Sequence, residues 1–205
     1  MKNKKILILH SSNDLYGASK IFLQIIQILK NSEYEIHVVL PSKGPLDNLI
    51  NQNAHVCYHS LGVLRKMYLN PLGLINRLVT NLKAIKFLSN YIKHNSIDLV
   101  YTNTSTILCG GIAARKNNIP SLFHIHEIPT GNKLYEFLSG KMINKYSNRV
   151  LTVSESVKKH WVKYIDSNKI YRIYNGIVFK KTDSNIKLDR KKNDFVITSV
   201  ARIIT

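Results

Sequence analysis

Short apolar runs alternate with amphipathic stretches along almost the whole chain, and this alternation constrains the fold more than any other feature. Lys5-Ile6-Leu7-Ile8-Leu9 breaks into the polar His10-Ser11-Ser12-Asn13-Asp14, the pattern of a strand buried on both faces that feeds a loop. We assign it as the first, central strand. From Ala18 onward, Ile21, Phe22, Ile25, Ile26, Ile28 and Leu29 recur at helical spacing until Asn31-Ser32. Tyr34–Leu40 then predicts a strand stopped by Pro41, Leu46–Gln52 a polar helix, and Val56-Cys57-Tyr58 a weaker strand.

Pro71–His94 carries Leu72, Ile75, Leu78, Val79, Leu82, Ile85 and Leu88 on one helical period, with lysines and arginine between them, and predicts a long basic amphipathic helix. Strands at Ile97–Tyr101, Ser121–Ile125, Arg149–Val153 and Ile170–Tyr174 follow, separated by helices at Thr106–Asn117, Lys133–Tyr146 and Glu155–Tyr164. Such a series predicts an α/β fold with a Rossmann-like doubly wound parallel sheet, whose ligands sit at the carboxyl ends of the strands.

At 205 residues there is room for one sizeable core. The expected domain runs over 1–178, followed by a charged linker at 179–193, which contains Lys180, Lys181, Asp183, Asp189, Arg190, Lys191 and Lys192. Phe195-Val196-Ile197-Thr198-Ser199-Val200, within 194–205, then reads as the first strand of a second domain, cut at Thr205. Cys57 and Cys109 lie in apolar runs without metal-type spacing, which predicts free thiols and a reducing, cytoplasmic compartment. The apolar stretch behind Lys2, Lys4 and Lys5 is too short for a secretory signal, and lysine or asparagine interrupts every long apolar window, so only peripheral membrane contact is expected.

Several residues at strand ends carry candidate chemistry. Gly17 stands just before a helix start, where free N–H groups and the helix dipole favour an anion; the simpler alternative is a turn glycine. His124 and His126 alternate at the end of a strand, and we expect His126 to face the cleft while His124 packs against a helix. His126 with Glu127 suits polar contact with a sugar hydroxyl or acid–base work, against the alternative of a structural histidine. Metal ligation by this group lacks a further supporting ligand, and no metal or other cofactor is expected. Ser154 is placed to cap a helix as much as to bind a ligand, and Asn175-Gly176 predicts a turn with a positive-φ glycine.

Taken in order, Tyr16-Gly17-Ala18-Ser19, Ile97-Asp98-Leu99-Val100-Tyr101-Thr102-Asn103, His124-Ile125-His126-Glu127, Leu151-Thr152-Val153-Ser154-Glu155-Ser156-Val157, Ile173-Tyr174-Asn175-Gly176-Ile177 and Val200-Ala201-Arg202-Ile203 resemble the N-terminal domain of group 1 (family 4) glycosyltransferases. That resemblance implies one lobe of a two-lobed GT-B enzyme with its second, donor-binding lobe missing. It further implies transfer of a sugar, with retention, from a nucleotide sugar to a saccharide or lipid-linked acceptor in polysaccharide or surface-glycan assembly. On this pattern His126 is the catalytic contact to the donor sugar. Tyr16, Gly17, Ala18, Glu127, Ser154, Asn175, Gly176 and Arg202 would bind acceptor or donor. Arg202 would be a diphosphate contact without the lysine that normally accompanies it, and the chain alone would be inactive.

The formal net charge of +18 predicts an anionic partner. Between Asp47 and Asp98 no acidic residue occurs, while Arg65, Lys66, Arg77, Lys83 and Lys86 stand among apolar side chains, so this stretch is expected to face an anionic membrane surface on the inner side of the cell membrane. The alternative is a solvated helix face. No helix-turn-helix, zinc-ligand or RNP-like motif accompanies the charge, and no nucleic-acid partner is expected. Two other functions remain open at this level: a noncatalytic acceptor-binding fragment that needs a separate donor lobe, and a nucleotide-sugar epimerase of similar layout.

Overall fold

The structure, a computed structural model, describes residues 3–15, 17–63, 71–129 and 133–176. Seven parallel strands form one sheet: β1 (Lys5–Leu9), β2 (Glu35–Leu40), β3 (His55–Tyr58), β4 (Leu99–Thr102), β5 (Ser121–Ile125), β6 (Arg149–Thr152) and β7 (Ile170–Arg172), in the order β3-β2-β1-β4-β5-β6-β7. The order reverses between β1 and β4, the switch point of a doubly wound sheet, where the carboxyl ends of the strands leave a crevice. Register across that point pairs Leu7 with Val100 and Leu9 with Thr102. The helices are α1 (Gly17–Asn31), α2 (Asp47–Ile50), α3 (Pro71–Asn95), α4 (Cys109–Lys116), α5 (Lys133–Tyr146) and α6 (Glu155–Trp161).

Strand alternation sends neighbouring residues to opposite layers. Ile6, Ile8, Ile36 and Val38 pack against Phe22 and Ile26 of α1 and Ile50 of α2. Leu7, Leu9, Val39 and Val100 pack against Ala84, Ile85, Leu88 and Ile92 of α3 and Ala113 and Ala114 of α4. Phe123, Ile125 and Val150 close the same layer over Ile143 of α5 and Trp161 of α6. The continuous apolar runs exist because both faces of the central strands are covered.

Gly110 shows how tightly α4 presses on the switch point. A Cβ there would collide with Leu9 and stand 2.8 Å from Thr102 Oγ1, so a larger residue would force α4 off the sheet.

Two sequence expectations change. The long helix forms over almost its predicted span, but among its described side chains only Ala84, Ile85, Leu88 and Ile92 bury deeply, while Ile75, Leu78, Val79 and Leu82 lie exposed in its first half. Gly176 does not have positive φ; among the described glycines only Gly62 does, at +60°. The linker at 179–193, the strand within 194–205 and the domain limit at 178 lie outside the described residues.

Candidate functional site

Three polar residues stand just past the strands that flank the switch point. His10 follows β1, Asn103 follows β4 and His126 follows β5. Asn103 joins them: its Nδ2 donates to His10 Nδ1 at 3.1 Å, and its Oδ1 accepts from His126 Nε2 at 2.9 Å. His10 is buried, stacks on Phe22 with ring centroids 4.5 Å apart, and sets its Nε2 3.2 Å from Ser19 Oγ in the first turns of α1. A continuous chain of hydrogen bonds therefore runs from α1 through His10 and Asn103 to His126.

An amide nitrogen only donates and an amide oxygen only accepts, so this orientation of Asn103 determines where both rings carry their protons. His10 holds its proton on Nε2. His126 holds its proton on Nε2, which leaves Nδ1 as a free acceptor while the ring is neutral. Burial lowers the pKa of His126, although the Glu127 carboxylate acts the other way. Burial, and secondarily the neighbouring His126, bring His10 down to about 4, so it stays neutral near neutral pH. The cluster is thus a rigid group of neutral rings suited to orienting a hydroxyl rather than to carrying charge.

His124 and His126 share one face of the strand, as period-two alternation requires, and their ring centroids are 4.2 Å apart. Along that face His124 is buried and lines a cavity with Ile25 and Ile28 of α1, while His126, nearer the strand end, is half-buried. His124 Nδ1 meets Tyr101 Oη at 2.6 Å, and burial brings its pKa down to about 3.

The Glu127 carboxylate is engaged by the two loops around it. Its Oε1 accepts from Thr104 Oγ1 at 2.8 Å, Ser105 N at 2.8 Å and Ser105 Oγ at 2.7 Å, while Oε2 accepts from His126 N at 3.1 Å. This carboxylate ties the loop after β4 to the loop after β5, and so holds Asn103 and His126 at their separation. Trp161 Nε1 donates to the Glu127 carbonyl at 3.2 Å and anchors the same loop on α6.

The other expected site residues disperse. Ser154 is the N-cap of α6, its hydroxyl accepting from Val157 N at 3.2 Å. Gly17 and Ala18 lie exposed at the start of α1, and a Cβ on Gly17 would meet nothing within 4 Å. Asn175 and Gly176 lie against α1, where with Ile25, Ile28, His124 and Tyr174 they line a cavity of about 410 Å³. Lys83 and Lys86 are exposed on α3. Arg77 is half-buried and lines a cleft of about 310 Å³ with the loops after β1, β2 and β3. Tyr16, Arg65, Lys66 and Arg202 lie outside the described residues.

Sequence reasoning had not singled out His10, Asn103, Asn13 or Lys43. The available signal was positional: His10 and Asn103 are the residues immediately after the two strands that flank the switch point.

A doubly wound parallel domain with a polar cluster at its switch point belongs to the class of Rossmann-like domains that bind ligands at the carboxyl edge. Residues 16–180 match the family described as Glycosyltransferase Family 4, and the chain belongs to that family. It is 26% identical over 208 residues to the Escherichia coli UDP-Gal:alpha-D-GlcNAc-diphosphoundecaprenol alpha-1,3-galactosyltransferase, a match that takes in 92% of this chain and 51% of that protein. The fold is similar to that of Anabaena HepE, solved in complex with UDP and glucose, at a TM-score of 0.65 and 21% identity, over 85% of this chain and 45% of that one. A glycosyltransferase from Rickettsia africae superposes at a TM-score of 0.65 and 18% identity, over 86% and 44% of the two chains. The chain thus spans about half the length of the relatives it matches. Among the described residues no helix is long and apolar enough to cross a membrane.

Proposed function

We propose that this chain is the acceptor-side half of a glycosyltransferase that moves a sugar from a nucleotide sugar to a saccharide or lipid-linked acceptor in surface-glycan assembly. The observation that carries the proposal is the placement of His126 at the carboxyl edge of the switch point, with Asn103 on its Nε2, in a domain of glycosyltransferase family 4. The Escherichia coli relative, by its name, uses a nucleotide-activated galactose and a diphospholipid-linked sugar, and this supports the choice of substrate classes.

In this proposal His126 contacts the donor sugar through Nδ1, and the reaction proceeds with retention of configuration. No metal or cofactor is assigned. The donor's diphosphate is bound by a second lobe, with Arg202 as a first contact, so the 205-residue chain alone has no appreciable turnover. Catalysis then comes from positioning and from charge stabilisation in the assembled cleft. Lys83 and Lys86, beside the exposed Ile75, Leu78, Val79 and Leu82, bring the domain to an anionic bilayer on the cytoplasmic side.

The test is transfer of radiolabelled sugar to a lipid-linked acceptor by this chain joined to the donor lobe of a family member. The wild-type assembly should form product. His126→Ala should reduce turnover by about 10²–10⁴-fold while the circular dichroism spectrum is kept. Undiminished turnover in that variant would remove His126 from the reaction, and absence of product with every nucleotide sugar would remove the transferase.

A further inference from the structure

The Asn103 bond to Nε2 fixes only one point of the His126 ring. A ring held by a single hydrogen bond can still turn about the N–H···O axis, and that turn swings Nδ1 away from its direction. A contact on the face of the ring removes the freedom. His124 makes that contact: the two imidazoles have centroids 4.2 Å apart and planes inclined at 44°.

His124 is held in its turn. Its Nδ1 lies 2.6 Å from Tyr101 Oη, and the two rings meet edge to face with centroids 6.0 Å apart. Two rungs therefore bridge the paired strands β4 and β5, Tyr101 to His124 and then Asn103 to His126. Tyr101 and His124 are 6% and 5% exposed. Burial pushes the Tyr101 phenol up and brings the His124 ring down to about 3, so both are neutral near neutral pH. Among the described residues neither Tyr101 Oη nor His124 Nε2 has another partner. With the phenol donating to Nδ1, only the Nε2 N–H is left unmatched; the reverse assignment would strand both the phenol hydrogen and the Nε2 lone pair. A buried N–H without a partner is costly. Leucine fills the neighbouring positions on this face of the sheet, at Leu122 and at Leu151 directly across from His124, without that cost. The core alone gives no reason for an imidazole here.

We infer that Tyr101 and His124 are positioning residues for sugar transfer, the pair holding the plane of the His126 ring so that Nδ1 meets the donor sugar. The inference rests on the transferase reading above and adds the residues that stand behind its catalytic contact. A displacement of about 1 Å at a reacting contact can cost about 100-fold in rate, and a contact that strengthens in the transition state shows its loss in kcat rather than in KM.

The experiment reads the His126 ring in the full chain by NMR, and turnover in the chain joined to a family member's donor lobe. Three variants separate the ring face from the hydrogen bond. His124→Ala removes the face, His124→Phe keeps a face without the bond, and Tyr101→Phe removes only the phenol O–H. In His124→Ala the order parameter of the His126 ring should fall from near about 0.85 to below about 0.6. Its kcat should fall by about 10–100-fold, with the KM for nucleotide sugar changed by less than about threefold. His124→Phe should recover most of both losses. Tyr101→Phe should turn His124 from one Nε2-protonated form into a mixture of tautomers and lower kcat by about 2–10-fold. Undiminished kcat in folded His124→Ala would overturn the inference, as would a fall in kcat with the His126 order parameter unchanged. Should His124→Ala not fold, Tyr101→Phe decides alone, and wild-type kcat with a wild-type His124 tautomer there overturns the inference equally. Failure of the two readings is separable: product from the joined enzyme with full kcat in His124→Ala sinks the positioning role alone, whereas loss of His126 order in that variant, with no product from the wild type and any nucleotide sugar, sinks the transferase.

Discussion

Removal of the Asn103 side chain tests the central cluster most directly. Asn103 is 2% exposed and holds two ring nitrogens, His10 Nδ1 and His126 Nε2. Asn103→Ala leaves both without partners. An orphaned buried polar group costs about 1–3 kcal/mol, and His126, being less enclosed than His10, takes the low end, so the loss should be about 2–4 kcal/mol. For a domain of this size that corresponds to a fall in Tm of roughly 5–15 °C. Urea denaturation measures the first quantity and calorimetry the second. Long-range ¹⁵N–¹H spectra of the imidazoles supply a readout that packing alone would not move. In the wild type His126 should show its proton on Nε2 and His10 likewise; in Asn103→Ala His126 should become a mixture of tautomers. Asn103→Asp should instead keep Nε2 protonated and raise the pKa of both rings, because a carboxylate accepts from each. A loss below about 0.5 kcal/mol, with an unchanged His126 tautomer, would refute the argument that Asn103 sets the ring.

Acid should destabilise the fold earlier than carboxylate titration would. Because His10 and His124 are held at about 4 and about 3, the unfolded chain binds their protons first: stability is complete above about pH 6.5 and falls as pH drops toward 4, by up to about 1.4 kcal/mol per pH unit for each ring. Urea midpoints near pH 7, 6 and 5 should decline, and a flat profile would contradict the burial of these rings as neutral species. Glu127→Ala should destabilise by about 2–4 kcal/mol, since it strands the donors of Thr104 and Ser105, and should raise amide exchange in the loops after β4 and β5; unaltered exchange there would show that the carboxylate is not the tie. Ser154→Ala should cost about 1 kcal/mol in urea denaturation, and the joined enzyme should keep its donor KM, because the hydroxyl caps α6. A donor KM raised severalfold would return Ser154 to the binding site.

The sheet was legible because parallel strands covered on both faces must be largely apolar, and Ile6 to Leu9 and Val38 to Leu40 are so without interruption, while β5 is broken by His124. Helix limits were less legible where a distant contact sets them. The helix expected from Thr106 begins at Cys109, after Thr104 and Ser105 are captured by a carboxylate 23 and 22 residues further on. The phase of α3 misleads for a related reason. Ile75, Leu78, Val79 and Leu82 have the spacing of a packed face, yet burial begins only at Ala84, and Arg77 turns into the cleft. Spacing along a helix gives relative directions but not which direction meets the sheet. The cluster itself depends on closure in three dimensions: Asn103 lies 93 residues from His10 and 23 from His126 in sequence, and no local pattern links the three.

The long separation between β1 and β4 also sets an order of events during synthesis. Lys5 N finds its Asp98 partner only after 93 further residues have been made. At roughly 5–20 residues per second, translation leaves the inner edge of β1 unpaired for on the order of 5–20 s. During that interval Leu7 and Leu9 have neither β4 nor the buried turns of α3 and α4 over them. A nascent chain of this design therefore presents an open, apolar strand edge until β4 has been made, an edge on which another chain can pair.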